Sequence, residues 1–576
     1  MSIRSALCVV LAAVAAAHAA PTARERQFLT YGELTGKAPL ARPVSMSAFA
    51  PGTALPSNRF EGRLQIRFGA ADIEVLRDDY DTAGDADAPW RRLPAFDFAF
   101  VQSGTALIPL KRGVIADGGG RWEFILEPGR VWDEPGDRGF SRASIPFALE
   151  ERDRNCMHNG VLSFLFKADG AISSVAYESG SETCLYAKFD MWGSAPARYM
   201  PQKLASGEAA AADYAAEIAH RMATRPIARL AADYPGVDPS RFGAEIDPQD
   251  MTTFGVVVNG VIYVGSCNTR FGAYPFCAEL DLPSYSLAKS IVAGLASMRM
   301  NLLFPGVMDL TVGSLVPECT AGWNDVTLGQ MLDMASGHYA SSRDQVDELA
   351  LNASSFFLTN KHSGRITYAC TQYPRQARPG TLWVYHTTDM YILGSALRSF
   401  YQRKTGPAAD FYDDLLVKPI WRTLHLDPAL DVTQRSRDAI AQPDTGWGLT
   451  LHRDDVAKLA RFISVNRGTI DSTPVLDPKM LESALQRDPA DRGLFAASPD
   501  LHYKNGFWAW NAKEVLGCKR PAWIPFMSGF GGITVALMPN GVAYYYFSDG
   551  GKFAWLEAVR QAAKIAPLCS EEAHGQ

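Results

Sequence analysis

The sequence predicts an α+β protein in which an antiparallel sheet flanked by helices follows a β-rich N-terminal domain. Two observations indicate this fold class. Between residues 59 and 201, short runs alternate apolar and polar side chains and are separated by turn residues, which is typical of antiparallel strands. Beyond residue 250, strand patterns at both ends enclose several stretches with helical periodicity. Helices enclosed by terminal strands favour a sheet with helices packed on it.

The composition of the 576-residue chain is that of a folded globular protein, with 47% hydrophobic and 20% charged residues. At roughly 100–200 residues per domain, the length accommodates about two to four domains. The formal net charge is −6, which gives no electrostatic reason to expect nucleic acid or an anionic membrane as the partner. A small molecule is therefore the expected partner.

The first residues have the pattern of a secretory signal peptide. Arg4 supplies the positive start, Ala6–Ala17 is almost purely apolar, and Ala17-His18-Ala19 is an A-x-A cleavage signal. We expect residues 1–19 to be removed, although an uncleaved N-terminal anchor is the alternative. No later stretch of 18 residues is apolar and uncharged. The sequence thus predicts a periplasmic or secreted protein whose mature chain has no membrane segment.

Residues 20–205 form the predicted β-rich accessory domain. Its clearest strands are Leu64–Phe68, Phe96–Phe100 and Trp122–Leu126, and a β-sandwich is the arrangement that the pattern favours. No residue here has an evident chemical role. The sequence leaves open whether the domain gates substrate, binds carbohydrate or the cell envelope, or only supports the fold.

A helix and a linker are predicted over residues 206–244, with Ser206 at the helix N-cap. The second domain, residues 245–570, opens with two β-branched runs around Asn259-Gly260, a dipeptide that strongly favours a hairpin turn. Helical periodicity follows over 286–303, 327–335, 388–402 and 453–465. A final hairpin over 533–547 and a helix over about 552–565 complete the prediction.

Eight cysteines remain once Cys8 leaves with the signal peptide, and an even number in an exported chain favours disulfides. The sequence cannot fix their connectivity, and buried free thiols are the alternative. No C-x-x-C or H-E-x-x-H spacing occurs, so no metal site and no cofactor are predicted. The simplest pairing joins sequence neighbours: Cys156–Cys184, Cys267–Cys277, Cys319–Cys370 and Cys518–Cys569.

Ser286 and Lys289 form an S-x-x-K tetrad at the start of an apolar helical stretch. A serine hydroxyl needs a base to act as a nucleophile at neutral pH, and a lysine three residues later lies on the same helical face. The free N–H groups of a helix N-terminus can also stabilise an oxyanion. The tetrad alone is a weak signal, because chains of this size contain it by chance.

A tyrosine about one hundred residues later strengthens the signal. Tyr385, two residues before Thr387, can act as a base if a nearby ammonium stabilises its phenolate. The ordinary alternative is a packed aromatic ring whose hydroxyl is hydrogen-bonded. The neighbouring His386 and the distant His338 are not expected to form a Ser-His-Asp triad, since the chain has no G-x-S-x-G elbow.

A glycine-rich segment, Met527-Ser528-Gly529-Phe530, leads into the last hairpin. Glycines at such a position let a strand approach a ligand closely. We expect the N–H of Phe530 to join that of Ser286 around an oxyanion, whereas the alternative is a plain strand entry. Upstream of it, Phe507, Trp508 and Trp510 either line an apolar cleft or belong to the core.

In this order, the three segments resemble the motifs of the class C β-lactamase and penicillin-binding-protein superfamily of serine hydrolases. The resemblance covers about residues 245–568 and implies a β-lactamase-like α/β sandwich. It also implies that Ser286 attacks a carbonyl with help from Lys289 and Tyr385. An acyl-enzyme then forms, the N–H groups of Ser286 and Phe530 hold the oxyanion, and water releases the acid.

Two departures from the family pattern bear on the substrate. The second motif usually ends in Asn where this chain has Thr387, and the third usually begins with Lys or His where this chain has Met527. Such a cation would bind the carboxylate of a β-lactam or of a peptide C-terminus. The sequence therefore favours an ester as the substrate, followed by a small amide. Thr387, Ser528 and Gly529 are the further predicted substrate-binding residues. The alternatives are a cell-wall-type D-peptidase or amidase of the same fold, or a catalytically inactive binding or sensing relative.

Overall fold

The computed structural model describes residues 28–569 except 41–43, 70–72, 86–87, 117–119, 181 and 321. The predicted signal peptide, residues 1–19, lies outside these described residues. Two large sheets dominate the architecture. We call them the N-terminal sheet, built from strands between residues 61 and 201, and the C-terminal sheet, built from strands between residues 223 and 548.

The N-terminal sheet contains twelve strands, and every pairing between them is antiparallel. These strands are Glu61–Ile66, Ile73–Asp78, Phe96–Ser103, Ala106–Pro109, Val114–Ile115, Trp122–Leu126, Gly129–Trp132, Ser141–Glu151, Met157–Phe166, Val175–Gly180, Phe189–Ala195 and Ala197–Pro201.

A single continuous sheet replaces the predicted sandwich, so that prediction is wrong. One aromatic-rich core contains Leu64, Ile73 and Met191, which lie on strands from both ends of the sheet. The sheet therefore curves around its core. Alternation of apolar and polar residues cannot distinguish two stacked sheets from one curved sheet, because both arrangements bury every second side chain.

The C-terminal sheet contains ten strands, of which one pair, Ala223–Pro226 with Val261–Thr269, is parallel. That strand begins inside the range predicted as a linker. The ten strands are Ala223–Pro226, Met251–Val258, Val261–Thr269, Gly272–Ala273, Leu494–Ala496, Ser498–Lys504, Phe507–Asn511, Trp523–Gly529, Ile533–Leu537 and Ala543–Ser548. Two short antiparallel pairs stand apart from both sheets: Leu282–Pro283 with Thr450–Leu451, and Thr469–Ile470 with Thr473–Pro474.

Helices cover both faces of the C-terminal sheet. Tyr544 and Tyr546 share a core with Val559 of the last helix, whereas Tyr545 belongs to the opposite core, together with Leu459. This division follows from the two-residue period of a strand. The predicted α+β class, with helices flanking an antiparallel sheet, is confirmed. The α-helices are Tyr31–Leu34, Gly207–His220, Leu230–Asp233, Leu295–Leu303, Val312–Leu315, Leu328–Leu332, Ala353–Leu358, His362–Thr371, Thr387–Thr405, Arg453–Ser464, Pro478–Ala484, Lys513–Leu516 and Leu556–Ile565, and Lys289–Gly294 and Asp413–Trp421 are π-helical.

The four predicted disulfides are present: Cys156–Cys184, Cys267–Cys277, Cys319–Cys370 and Cys518–Cys569. The first lies in the region of the N-terminal sheet and the other three follow it in the chain. None of the helices in the described ranges has both the length and the hydrophobicity needed to cross a membrane.

A buried ion cluster joins the two sheets. Arg112 extends from the N-terminal region, and its Nη2 atom lies 2.7 Å from carboxylate oxygens of both Glu127 and Asp427. Its Nη1 atom lies 3.0 Å from Glu217 on the helix Gly207–His220. Because these groups are almost fully removed from water, the guanidinium is needed to balance the carboxylates around it.

Candidate active site

A cavity of about 1050 Å³ lies where the two sheets meet, and Ser286 borders it. Ser286 follows the short strand Leu282–Pro283, which pairs with Thr450–Leu451. Three successive turns then lead into the π-helical segment Lys289–Gly294. Tyr285, immediately before Ser286, has a φ of +40°. A bulky residue seldom adopts this conformation, and such backbone geometry occurs where the surrounding structure enforces it.

The Ser286 hydroxyl contacts both predicted partners. Lys289 Nζ donates to Ser286 Oγ at 2.8 Å, and the hydroxyl of Tyr385 lies 2.8 Å from the same oxygen. Lys289 Nζ also lies 3.4 Å from the carbonyl oxygen of Gly446 and 4.8 Å from the centre of the Tyr385 ring. The structure therefore brings Tyr385 to Ser286 and Lys289 across a separation of 99 residues from Ser286.

Burial changes the proton affinity of both partners. Lys289 is 2% exposed, and the cost of desolvating its ammonium lowers its pKa to about 8, against a smaller opposing effect of Glu348. Burial raises the pKa of Tyr385 well above its usual value, and the Glu348 charge acts in the same direction. At neutral pH a fraction of Lys289 is thus an unprotonated amine, while Tyr385 remains a neutral phenol.

Thr387 lies at the cavity wall, where it begins the helix Thr387–Thr405. Glu348 accepts from the Thr387 N–H at 2.9 Å, and the Thr387 hydroxyl donates to the other Glu348 oxygen. A carboxylate at a helix N-terminus is stabilised by the helix dipole. Sequence reasoning missed Glu348, because it lies in a stretch of the chain without a motif.

The glycine-rich segment also reaches the cavity. Ser528, Gly529 and Phe530 line it, and Phe530 is 39% exposed. Met527, which directly precedes Ser528, is 1% exposed and packs in the core against the C-terminal sheet. Upstream, Trp508 and Trp510 line the cavity, whereas Phe507 is fully buried in the core.

The N-terminal region supplies part of the cavity wall, which the sequence did not indicate. Arg154, Asn155, Leu185 and Tyr186 all line it. The first two follow the strand Ser141–Glu151, and the other two follow Cys184. A lone Asn in a loop carries no recognisable pattern, so only the folded structure reveals this contribution.

His386 and His338 contact groups other than Ser286. His386 Nε2 lies 3.0 Å from Asp347, and the His386 ring stacks on Tyr373 at 4.2 Å. His338 stacks on Trp323 at 3.9 Å between the centres of the two rings. Within the described part of the chain, the hydrogen bonds of the Ser286 hydroxyl go to Lys289 and Tyr385.

Among the residues that the structure describes, two groups of side chains have the composition of a metal site. In one, Cys156 and Cys184 form a disulfide beside His158. In the other, Glu127 and Asp427 surround His452, but Arg112 already contacts both carboxylates at 2.7 Å. The positive charge that these acids require is therefore supplied by the protein.

Comparisons with known proteins find similarity in solved structures only. No protein-family model and no curated protein matches the chain. A penicillin-binding protein homologue from Caulobacter crescentus is 18% identical, with a TM-score of 0.40, over 58% of this chain and 98% of that one. A D-alanine carboxypeptidase from Burkholderia cenocepacia is 17% identical, with a TM-score of 0.38, over 62% and 99%. A family VIII carboxylesterase is 18% identical, with a TM-score of 0.38, over 54% and 91%. These proteins belong to the superfamily that the sequence motifs resemble.

Proposed function

We propose that the protein is an exported serine hydrolase that acts through an acyl-enzyme on Ser286. The proposed substrate is an ester, and a small amide is the second choice. The observation that supports this most is the pair of 2.8 Å contacts that Lys289 and Tyr385 make with Ser286 Oγ at the wall of a large cavity. A serine with an adjacent base is the arrangement that nucleophilic catalysis requires.

In the proposed mechanism, unprotonated Lys289 takes the Ser286 proton as the oxygen attacks the substrate carbonyl. The lowered pKa of Lys289 favours this role, because a base with a pKa near 8 is partly unprotonated at neutral pH. Because its pKa is raised, Tyr385 is still protonated when the serine attacks. It then donates this proton to the leaving group and takes up the proton that Lys289 received. The N–H groups of Ser286 and Phe530 hold the oxyanion. Water then releases the acid by the reverse proton path.

The charges at the cavity wall support a neutral substrate over a carboxylate. Glu245, Asp344 and Glu348 line the cavity, and Arg154 is the cation among the described lining residues. An anionic substrate would be repelled by this excess of carboxylates. Met527, at the position where a family cation would stand, is buried in the core. An amidase of the same fold that acts on neutral amides is the second candidate, because the lining carboxylates repel a neutral amide no more than a neutral ester.

The test is covalent labelling of the purified mature protein. A fluorophosphonate probe reacts with activated serines, and we expect a single adduct that mass spectrometry places on Ser286. The Ser286→Ala variant should fold normally, remain unlabelled and show no turnover. Normal activity in that variant would overturn the assignment of Ser286 as the nucleophile. Absence of labelling in the folded wild type would overturn the proposal in favour of an inactive binding relative.

Substrate class is tested on the same preparation with short-chain esters, D-amino-acid amides and a chromogenic β-lactam. We expect kcat/KM to be highest for the neutral esters and lowest for the β-lactam, which carries a carboxylate. A preference for the β-lactam or for a peptide with a free C-terminal carboxylate would contradict the ester assignment while leaving the role of Ser286 intact.

A further inference from the structure

The cavity wall contributed by the N-terminal region includes one fully buried amide. Asn155 is 0% exposed and lies between the strands Ser141–Glu151 and Met157–Phe166. Its Oδ1 atom accepts from the backbone N–H of Tyr285 at 2.8 Å and from the Ser284 hydroxyl at 3.2 Å. Both contacts cross from the N-terminal region to the two residues that precede Ser286.

The same amide also contacts the residues just before the strand Thr450–Leu451, which pairs with the strand Leu282–Pro283 that precedes the nucleophile. Asn155 Oδ1 accepts from the Gly448 N–H at 3.3 Å, and Nδ2 donates to the Leu449 carbonyl at 3.3 Å. Nδ2 donates in addition to Glu150 Oε1 at 3.0 Å, within its own region. Both polar atoms of this side chain therefore form hydrogen bonds. Four of its five hydrogen bonds reach the C-terminal part of the chain.

These contacts act on the backbone at a strained point. Tyr285 has a φ of +40°, and the peptide that follows it carries the N–H of Ser286. The Tyr285 N–H belongs to the preceding peptide, so anchoring it together with the Ser284 hydroxyl restrains the backbone that leads into Ser286. An oxyanion donor must lie within a few tenths of an ångström of its position to be effective, so a small rotation here weakens it.

A second contact reaches the other proposed oxyanion donor. The ring of Tyr186 lies 6.1 Å from that of Phe530, and the Tyr285 ring lies 5.6 Å from Phe530. The Tyr186 hydroxyl is fixed by a 2.7 Å hydrogen bond to Glu151. Phe530 thus packs beside a ring of the N-terminal region and beside the residue that Asn155 contacts.

We propose that Asn155 is a positioning residue, which orients the Ser286 N–H, and that Tyr186 supports Phe530 in the same way. The N-terminal region then orients both oxyanion donors without contacting the reacting atoms. This inference depends on the proposed function, because it assigns a role to residues around Ser286.

Asn159 provides a matched control. It is also 0% exposed and also crosses between the two regions, donating to the Asp281 carbonyl at 2.8 Å and accepting from the Asp281 N–H at 3.0 Å. Asp281 precedes the nucleophile by five residues and lies outside the cavity wall. Asn155→Ala and Asn159→Ala should therefore lower the unfolding temperature by similar amounts.

Only Asn155→Ala should lower kcat, by about 10²-fold, which is the size of effect expected when one oxyanion donor is lost. Its KM should change less than about threefold, because the residue acts on the transition state. The rate at which the fluorophosphonate labels Ser286 should fall in parallel.

Equal kcat and equal labelling rates in Asn155→Ala and Asn159→Ala would overturn the positioning role while the wild-type adduct on Ser286 stands. If the wild type itself is not labelled, the proposed function and this inference both fail. Should Asn155→Ala not fold, Tyr186→Ala at the cavity surface carries the comparison, with an expected loss of about tenfold in kcat. Wild-type kcat in folded Tyr186→Ala would then overturn the inference.

Discussion

The two sheets that meet at the cavity contribute to it in different ways. Ser286, Lys289 and Tyr385, the groups proposed to react, all belong to the C-terminal part of the chain. The N-terminal region contributes Asn155 and Tyr186, which contact the backbone and ring beside those groups. The proposed reactive groups thus lie in one region, while the residues proposed to position them lie in the other. A region with none of the proposed reactive groups can therefore still contribute to the geometry of the site.

The largest effect should come from the region that reacts. We expect Lys289→Met to reduce kcat/KM by about 10³-fold or more, because it removes the base whose pKa of about 8 suits proton transfer near neutral pH. Tyr385→Phe should cost about 10²-fold, since the tyrosine relays a proton without starting the attack. Steady-state kinetics on a short-chain ester measure both. A larger loss in Tyr385→Phe would assign the base to the tyrosine.

The interface between the two regions is tested by Arg112→Met. Removing this cation leaves Glu127 and Asp427 buried without their partner, and breaking such a buried pair costs about 3–5 kcal/mol. Urea unfolding measures the change in the free energy of unfolding. Arg422→Met is the control, since its side chain is 62% exposed beside Asp431 and should cost less than about 1 kcal/mol. Equal costs would show that the cluster does not hold the regions together.

The smallest effect is a shift in the pH profile. Unprotonated Lys289 predominates above its pKa of about 8, so kcat/KM should rise with pH through this value. The Glu348 carboxylate favours the ammonium form and opposes the effect of burial. Glu348→Gln should therefore move the midpoint to lower pH, by up to about one unit.

Asp344→Asn is the matched control for that shift. Asp344 also lines the cavity, but it is not among the charges that act on the Lys289 pKa. Its midpoint should stay with that of the wild type. An unchanged midpoint in Glu348→Gln, or an equal shift in both variants, would remove Glu348 from the control of Lys289.

The sequence was most informative where a chemical requirement is local. Ser286 and Lys289 are three residues apart, so their contact follows from helical geometry. The hairpin at Asn259-Gly260 is equally local, and the structure contains it. The four disulfides also form between cysteines that are neighbours in the order along the chain, although 10 to 51 residues separate the partners. Tyr385 came into view only through its place in a family pattern, since its contact with Ser286 spans 99 residues.

Sequence patterns did not reveal residues whose proposed role depends on a contact with a distant part of the chain. Asn155 meets Tyr285 across 130 positions, and an isolated Asn in a loop has no pattern that reveals such a contact. Glu348 meets Thr387 across 39 positions and lies outside regular secondary structure. The curvature of the N-terminal sheet was hidden for another reason, because the alternation of side chains records which residues are buried but not how the strands connect.

The disulfide Cys156–Cys184 joins the two stretches of the N-terminal region that reach the cavity. One cysteine directly follows Asn155, and the other directly precedes Leu185 and Tyr186. Both sulfur atoms belong to fully buried residues, so the bond must form before or during folding. Production in a reducing cytoplasm should therefore yield material that keeps much of its secondary structure but has a low specific activity. Oxidation of this cysteine pair is then a condition for the proposed activity.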